Sequence, residues 1–202
     1  MPRIRIVAIG DSTTAGTPGF LSPLEAPPFG RGNESSQYAY WLARAHPEWE
    51  ILNRGVNGER SDQIRRRFER DVIDAKPRAV VVIAGVNDVY QGRRAREVTE
   101  QLRWMYDRAR QAGIGVVAGS IMPYNTATAD QNARMQQIND WIRRQATDSG
   151  LTFVDTRAAV AGRGRPDMLA DTPDGLHPSP AGYRAAAEAL RPALERILHA
   201  QP

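Results

Sequence analysis

The chain has 202 residues, 41% of them apolar and 25% charged, with a formal net charge of +4 and no cysteine. That length suits one domain over residues 1–202 with a full core, and the lack of cysteine excludes disulfides, thiol nucleophiles and thiolate metal sites. The positive charge is arginine apart from Lys76 and is interleaved with Asp and Glu, so its densest cluster, Arg65-Arg66-Arg67, reads as a solvated helix face, with no nucleic-acid partner expected.

The first predicted strand is the apolar run from Ile4 to Ile9, which ends at Gly10-Asp11-Ser12. Directly after Ser12, the segment from Thr17 to Gln37 is rich in proline and glycine, and its position favours a lid over a site at Ser12. A second strand, Glu50 to Leu52, leads into Asn53-Arg54-Gly55-Val56-Asn57-Gly58. Helical spacing then puts Ile64, Phe68 and Val72 on one face, with Ser61 as N-cap. The third strand, Ala79 to Ala84, runs into Gly85-Val86-Asn87-Asp88. Beyond it, Val98, Leu102, Met105 and Ala109 share a helix face that Gly113 should stop. After the fourth strand, Ile114 to Ala118, a helix buries Met135, Ile138, Ile142 and Ala146 and ends at Gly150; the fifth strand is Leu151 to Val154. The last helix opens with Ser179-Pro180, buries Tyr183, Leu190, Leu194 and Ile197, and should kink or split at Pro192. Five strands alternating with helices describe an open parallel sheet covered on both faces, with its site outside the carboxyl ends of the strands.

Three strand ends therefore share one rim, and the residues there complement one another. Ser12 is placed as a nucleophile, Gly58 can offer a close backbone N–H, and Asn87 carries a side-chain amide. Of the three histidines, His46 precedes Pro47 at a helix end and His199 sits in a last helical turn. His177 alone follows an aspartate, Asp174, at loop spacing, as a base with its orienting carboxylate would. Asp11 and Asp88 read as loop-fixing carboxylates rather than a metal pair, so no metal is expected.

In order along the chain, Gly-Asp-Ser, the glycine after the second strand, Gly-x-Asn-Asp and Asp-x-x-His-Pro resemble the GDSL or SGNH hydrolases, over Gly10 to Pro178. The resemblance implies a flavodoxin-like three-layer α/β/α sandwich with a five-stranded parallel sheet. It also implies a serine esterase without cofactor, in which Ser12 is the nucleophile, His177 the base and Asp174 its partner. The N–H groups of Ser12 and Gly58 and the side chain of Asn87 would form the oxyanion hole. Two departures are visible: Thr13 replaces leucine in the namesake motif, and the second block reads Gly55-Val56-Asn57-Gly58-Glu59-Arg60-Ser61, where the family more often has serine before its glycine. The elbow Gly-x-Ser-x-Gly of the α/β-hydrolase fold is absent.

Phe20, Leu21 and Phe29 in the long loop, with Met122 and Tyr124 after the fourth strand, are the candidate substrate-facing residues. They should confine the pocket to short or medium acyl chains of a small-molecule ester, with thioesters, lysophospholipids and acetylated sugars in range. The competing reading is an FMN-binding electron carrier, since Ser12-Thr13-Thr14-Ala15-Gly16-Thr17 resembles the phosphate loop of flavodoxins. No apolar run approaches the ~20 residues of a membrane span, and the first strand starts too near Met1 for a signal peptide, so a cytoplasmic location is expected.

Overall fold

The structure is a computed structural model and describes residues 3–200. Five parallel strands form its sheet: β1 (Ile4–Gly10), β2 (Trp49–Gly55), β3 (Ala79–Ile83), β4 (Gly115–Gly119) and β5 (Thr152–Val154), in the spatial order β2-β1-β3-β4-β5. β1 pairs with β2 from Ile4 opposite Trp49 to Gly10 opposite Gly55, and with β3 from Ile6 opposite Ala79 to Gly10 opposite Ile83. The three strand ends thus lie level on one rim, where the order reverses on either side of β1, the place at which parallel α/β sheets put their sites.

Among the described residues, eight α-helices connect and cover the strands: α1 (Ser12–Ala15), α2 (Tyr38–Ala45), α3 (Ser61–Arg66), α4 (Val86–Tyr90), α5 (Ala95–Gln111), α6 (Ala129–Ser149), α7 (Thr156–Val160) and α8 (Pro180–Ala200). Side chains on a strand alternate between faces, so each β-branched run feeds two cores. Val7, Ile9, Val80 and Val82 pack with Ile64, Leu102, Met105 and Ile138 beneath α3, α5 and α6. Ile6, Ala8, Val81 and Ile83 pack with Tyr38, Leu42, Tyr183 and Leu190 beneath α2 and α8. Among the described residues, no helix is long and apolar enough to cross a membrane.

Local departures from the sequence reading have local causes. The helix carrying Ile64, Phe68 and Val72 buries all three, but beyond Arg66 it passes into a wider π-helical turn at Glu69–Ile73. Ser61 is not its cap: Arg60 takes that place, and the Ser61 hydroxyl and N–H both donate to Asp88 across the rim, each at 2.8 Å. At the last helix Ser179 does cap, its Oγ accepting from the Gly182 N–H at 3.3 Å. Helix α8 runs through Pro192 without splitting. Pro192 and Glu188 are both exposed, so water can reach the carbonyl that loses its partner.

Candidate active site

β1 delivers the chain directly into α1, whose first residue is Ser12. Asp11 caps this short helix through Oδ1, which accepts from the Thr13 N–H at 3.0 Å and from the Thr13 hydroxyl at 2.8 Å. Helix α1 rests on the end of β2 at Gly55, where a Cβ would lie 2.1 Å from the Ala15 nitrogen, so only glycine lets the Ser12 helix sit this low. Across the rim, Asn87 lies in the first turn of α4, and Asp88 beside it fixes the neighbouring loop through Ser61. Asp11 and Asp88 thus bind N–H and hydroxyl donors, as loop-fixing carboxylates do.

His177 arrives from the other end of the chain. Its Nδ1 is 2.7 Å from Asp174 Oδ2, and Asp174 Oδ1 accepts from the backbone N–H groups of Leu176 and His177, each at 2.9 Å. Burial raises the Asp174 pKa, but these hydrogen bonds outweigh it and hold the carboxyl below its ordinary value. An ionised carboxylate only accepts, so Nδ1 carries a proton in this pair, and in the neutral imidazole Nε2 is the nitrogen with the lone pair. At Asp11 the balance reverses: burial dominates over the Thr13 hydrogen bonds and the charge of His177, and pushes its pKa up to about 6.

Ser12, Asn87 and His177 line one cavity of about 170 Å³, together with Thr13, Asn57, Val86, Tyr90, Tyr124 and Leu176. Gly58 adjoins this wall through Asn57 and has φ +77°, a left-handed conformation natural to glycine. The Tyr124 hydroxyl is buried with no hydrogen-bond partner among the described residues, beside a half-exposed Tyr90 whose ring meets it edge-on with centroids 6.1 Å apart.

Of the substrate-facing candidates, only Tyr124 is in this lining. Phe20 is buried within its own loop, its ring where a side chain on Gly30 would stand, and its strand Phe20–Leu21 pairs with Arg31–Gly32. Phe29 is 84% exposed, and Met122 belongs to the core under α8. Asn57, Val86, Tyr90 and Leu176, unmarked in the sequence reading, take the places expected of these residues. Their signal was adjacency: each lies within three residues of Gly58, Asn87 or His177. The phosphate-loop alternative is not favoured, because the Thr13 and Thr14 hydroxyls turn inward to Asp11 and Tyr38. His46 is held between Glu48 and Glu195 and stacked on Trp49, a structural histidine.

The arginine cluster is not one solvated face. Arg66 is solvated, but Arg65 lies over the Trp104 ring at 4.6 Å and Arg67 is buried against Glu59 and Asp71. Arg67 is three residues after Ile64 and one before Phe68, so helical spacing already put it on the inward face.

A parallel α/β sandwich with a serine, a carboxylate-bound histidine and an asparagine amide around one rim pocket defines a class, the ester hydrolases of the flavodoxin-like fold. The chain belongs to the GDSL-like lipase/acylhydrolase family, whose profile matches residues 8–185, and is a carboxylic ester hydrolase. It is 29% identical over 204 residues to an acetylxylan esterase of Geobacillus stearothermophilus, covering 92% of this chain and 91% of that one. A GDSL-like lipase from Bacteroides thetaiotaomicron superposes with TM-score 0.73 at 25% identity, over 95% of this chain and 88% of its own. A member of the lipolytic G-D-S-L family from Veillonella parvula gives 0.77 at 16% identity, over 96% and 99%, a likeness of fold.

Proposed function

We propose that the protein is a serine esterase that removes short acyl groups, acetyl first among them, from carbohydrate alcohols through an acyl-enzyme. The size of the cavity at Ser12 carries this reading: about 170 Å³, bounded by Val86 and Tyr124, leaves little room for a long acyl chain. Two further observations bear on the alcohol. The half-exposed Tyr90 and Leu176 at the same cavity offer a sugar an apolar surface, and the unpartnered Tyr124 hydroxyl would be satisfied by a bound oxygen. The Geobacillus relative is an acetylxylan esterase, and catalytic mutants of it replace a serine, or an aspartate and a histidine three residues apart, the spacing of Asp174 and His177 here.

In this mechanism His177 Nε2 takes the Ser12 proton as Oγ attacks the acyl carbon, and the carbonyl electron pair moves onto oxygen. The N–H groups of Ser12 and Gly58 and the Asn87 amide hold that oxyanion. Collapse expels the alkoxide, which leaves with the proton from His177. Water, deprotonated by the same nitrogen, then releases the acid and restores Ser12.

The test is a panel of nitrophenyl esters graded from acetate to decanoate, with an acetylated xyloside, an acyl thioester and a lysophospholipid. Acetate and the xyloside should lead in kcat/KM. Ser12→Ala should keep its fold and lose kcat by several orders of magnitude, and a fluorophosphonate should label Ser12 in the parent protein. Substantial activity in folded Ser12→Ala, or a preference for long chains, would overturn the reading.

A further inference from the structure

One buried guanidinium joins the parts of the rim that the mechanism needs in register. Arg67, with its side chain 9% exposed, donates from Nε to Glu59 Oε2 at 2.7 Å and from Nη1 to the Arg54 carbonyl at 2.8 Å and Asp71 Oδ2 at 2.9 Å. Nη2 donates to the Gly10 carbonyl at 3.0 Å. Gly10 and Arg54 are at the carboxyl ends of β1 and β2, and Gly10 is two residues before Ser12. Glu59 directly follows Gly58, and its backbone carbonyl accepts from Asn87 Nδ2 at 3.0 Å. That bond uses one of the two amide hydrogens of Asn87, so it decides where the other one points in the cavity that Asn87 lines.

The geometry points to Arg67 as a positioning residue of the oxyanion hole. It fixes the Glu59 segment to the strand end bearing Ser12 and, through the Glu59 carbonyl, aims the free N–H of Asn87. A buried ion pair is weak evidence for stability, since desolvation offsets most of its attraction, but its geometry can specify one arrangement of the groups around it. Lysine cannot take over: it is a point charge on a flexible stem and cannot span the same four acceptors as a planar fork. Arg67 touches no reacting atom, and its effect on catalysis follows from the small displacement of Asn87 and Gly58 that its loss would allow.

The inference rests on the serine mechanism above, and a double-mutant cycle separates the two. Arg67→Lys, checked for folding by circular dichroism and thermal melting, should lower kcat on nitrophenyl acetate by roughly 10- to 100-fold with KM within about threefold, since misplacement by an ångström can cost that much. Binding of a boronic acid that mimics the tetrahedral state should weaken in step with kcat. In an Asn87→Ala background the same substitution should cost less than about fivefold, because residues acting through one another are not additive. Glu59→Gln, which keeps an acceptor for Nε, should stay within a few-fold of the parent. Glu59→Ala should behave as Arg67→Lys does, and it decides the matter if Arg67→Lys does not fold. Parental kcat in the folded variant, or a loss undiminished in the Asn87→Ala background, would overturn the inference while Ser12→Ala remained inactive. Activity in Ser12→Ala would instead overturn the serine mechanism.

Discussion

Asp11 lies next to Ser12, the proposed nucleophile, and buries its carboxyl to cap α1, and that burial makes its charge costly. Its pKa of about 6 in the folded protein stands above the 3.8 of a free aspartate, so the native state holds this proton more tightly than the unfolded chain does. The sign follows: the contribution is fully present below pH 3.8, is lost as pH rises through 6, and stays lost above. Asp11→Asn keeps an oxygen for Thr13 but removes the ionisation. Its Tm should therefore exceed the parent's at pH 8, on the order of 5 °C, with the difference vanishing near pH 4. An equal difference at both pH values would assign the effect to something other than burial of the charge. Asp174 shows the opposite balance a short distance away, where three donors keep a carboxylate ionised for His177.

At the scale of elements, the cavity wall belongs to α1, α4 and the loops bearing Asn57, Tyr124 and His177. The long segment from Thr17 to Gln37 folds on itself as a two-stranded hairpin and braces the rim: Ser22 Oγ donates to the Gly55 carbonyl at 2.6 Å, and Glu25 accepts from the Asn57 N–H at 2.9 Å. It supports the loop bearing Gly58 without lining the pocket. Phe29→Ala should accordingly leave the acyl-length profile superimposable on the parent's. Val86→Ala, on the first turn of α4, should move the optimum one or two carbons longer, each methylene being worth roughly 1–3 kcal/mol of discrimination at most. A shifted profile in Phe29→Ala would put the long loop back over the site.

Over the whole molecule, many of the arginines stand in ion pairs, which break the positive charge up across the surface. Arg5 meets Glu50, Arg108 meets Glu69, Arg143 meets Asp155 and Arg157 meets Asp167, each joining segments distant in sequence or flanking a turn. Apart from Arg157, which is buried, these pairs are exposed and contribute about 0–1 kcal/mol each, so their consequence is for surface potential more than for stability. Despite a net charge of +4, binding to a labelled single-stranded RNA should stay weaker than about 10 µM at 150 mM salt, as read by fluorescence anisotropy. Tighter, steeply salt-dependent binding would reveal a basic surface that these pairs do not neutralise.

The sequence by itself determined the alternation of strands and helices, because periods of two and 3.6 are local properties of the chain. It also determined which residues stand on the rim: in a parallel sheet the loops after successive strands emerge on one side, so Ser12, Gly58 and Asn87 had to share it, while the strand order of the folded sheet brought them together. Asp174 and His177 were legible for a similar reason, since three residues of loop are enough to bring a carboxylate to Nδ1. Helical spacing already turned Arg67 inward, but only the tertiary structure decided which acceptors it meets there, that Ser61 serves Asp88 rather than its own helix, and that Phe20 and Phe29 are spent on packing and solvent while Tyr90 and Leu176 meet the cavity. In each case the outcome depends on what lies opposite in space, on partners whose burial and hydrogen bonds exist only once the layers have closed.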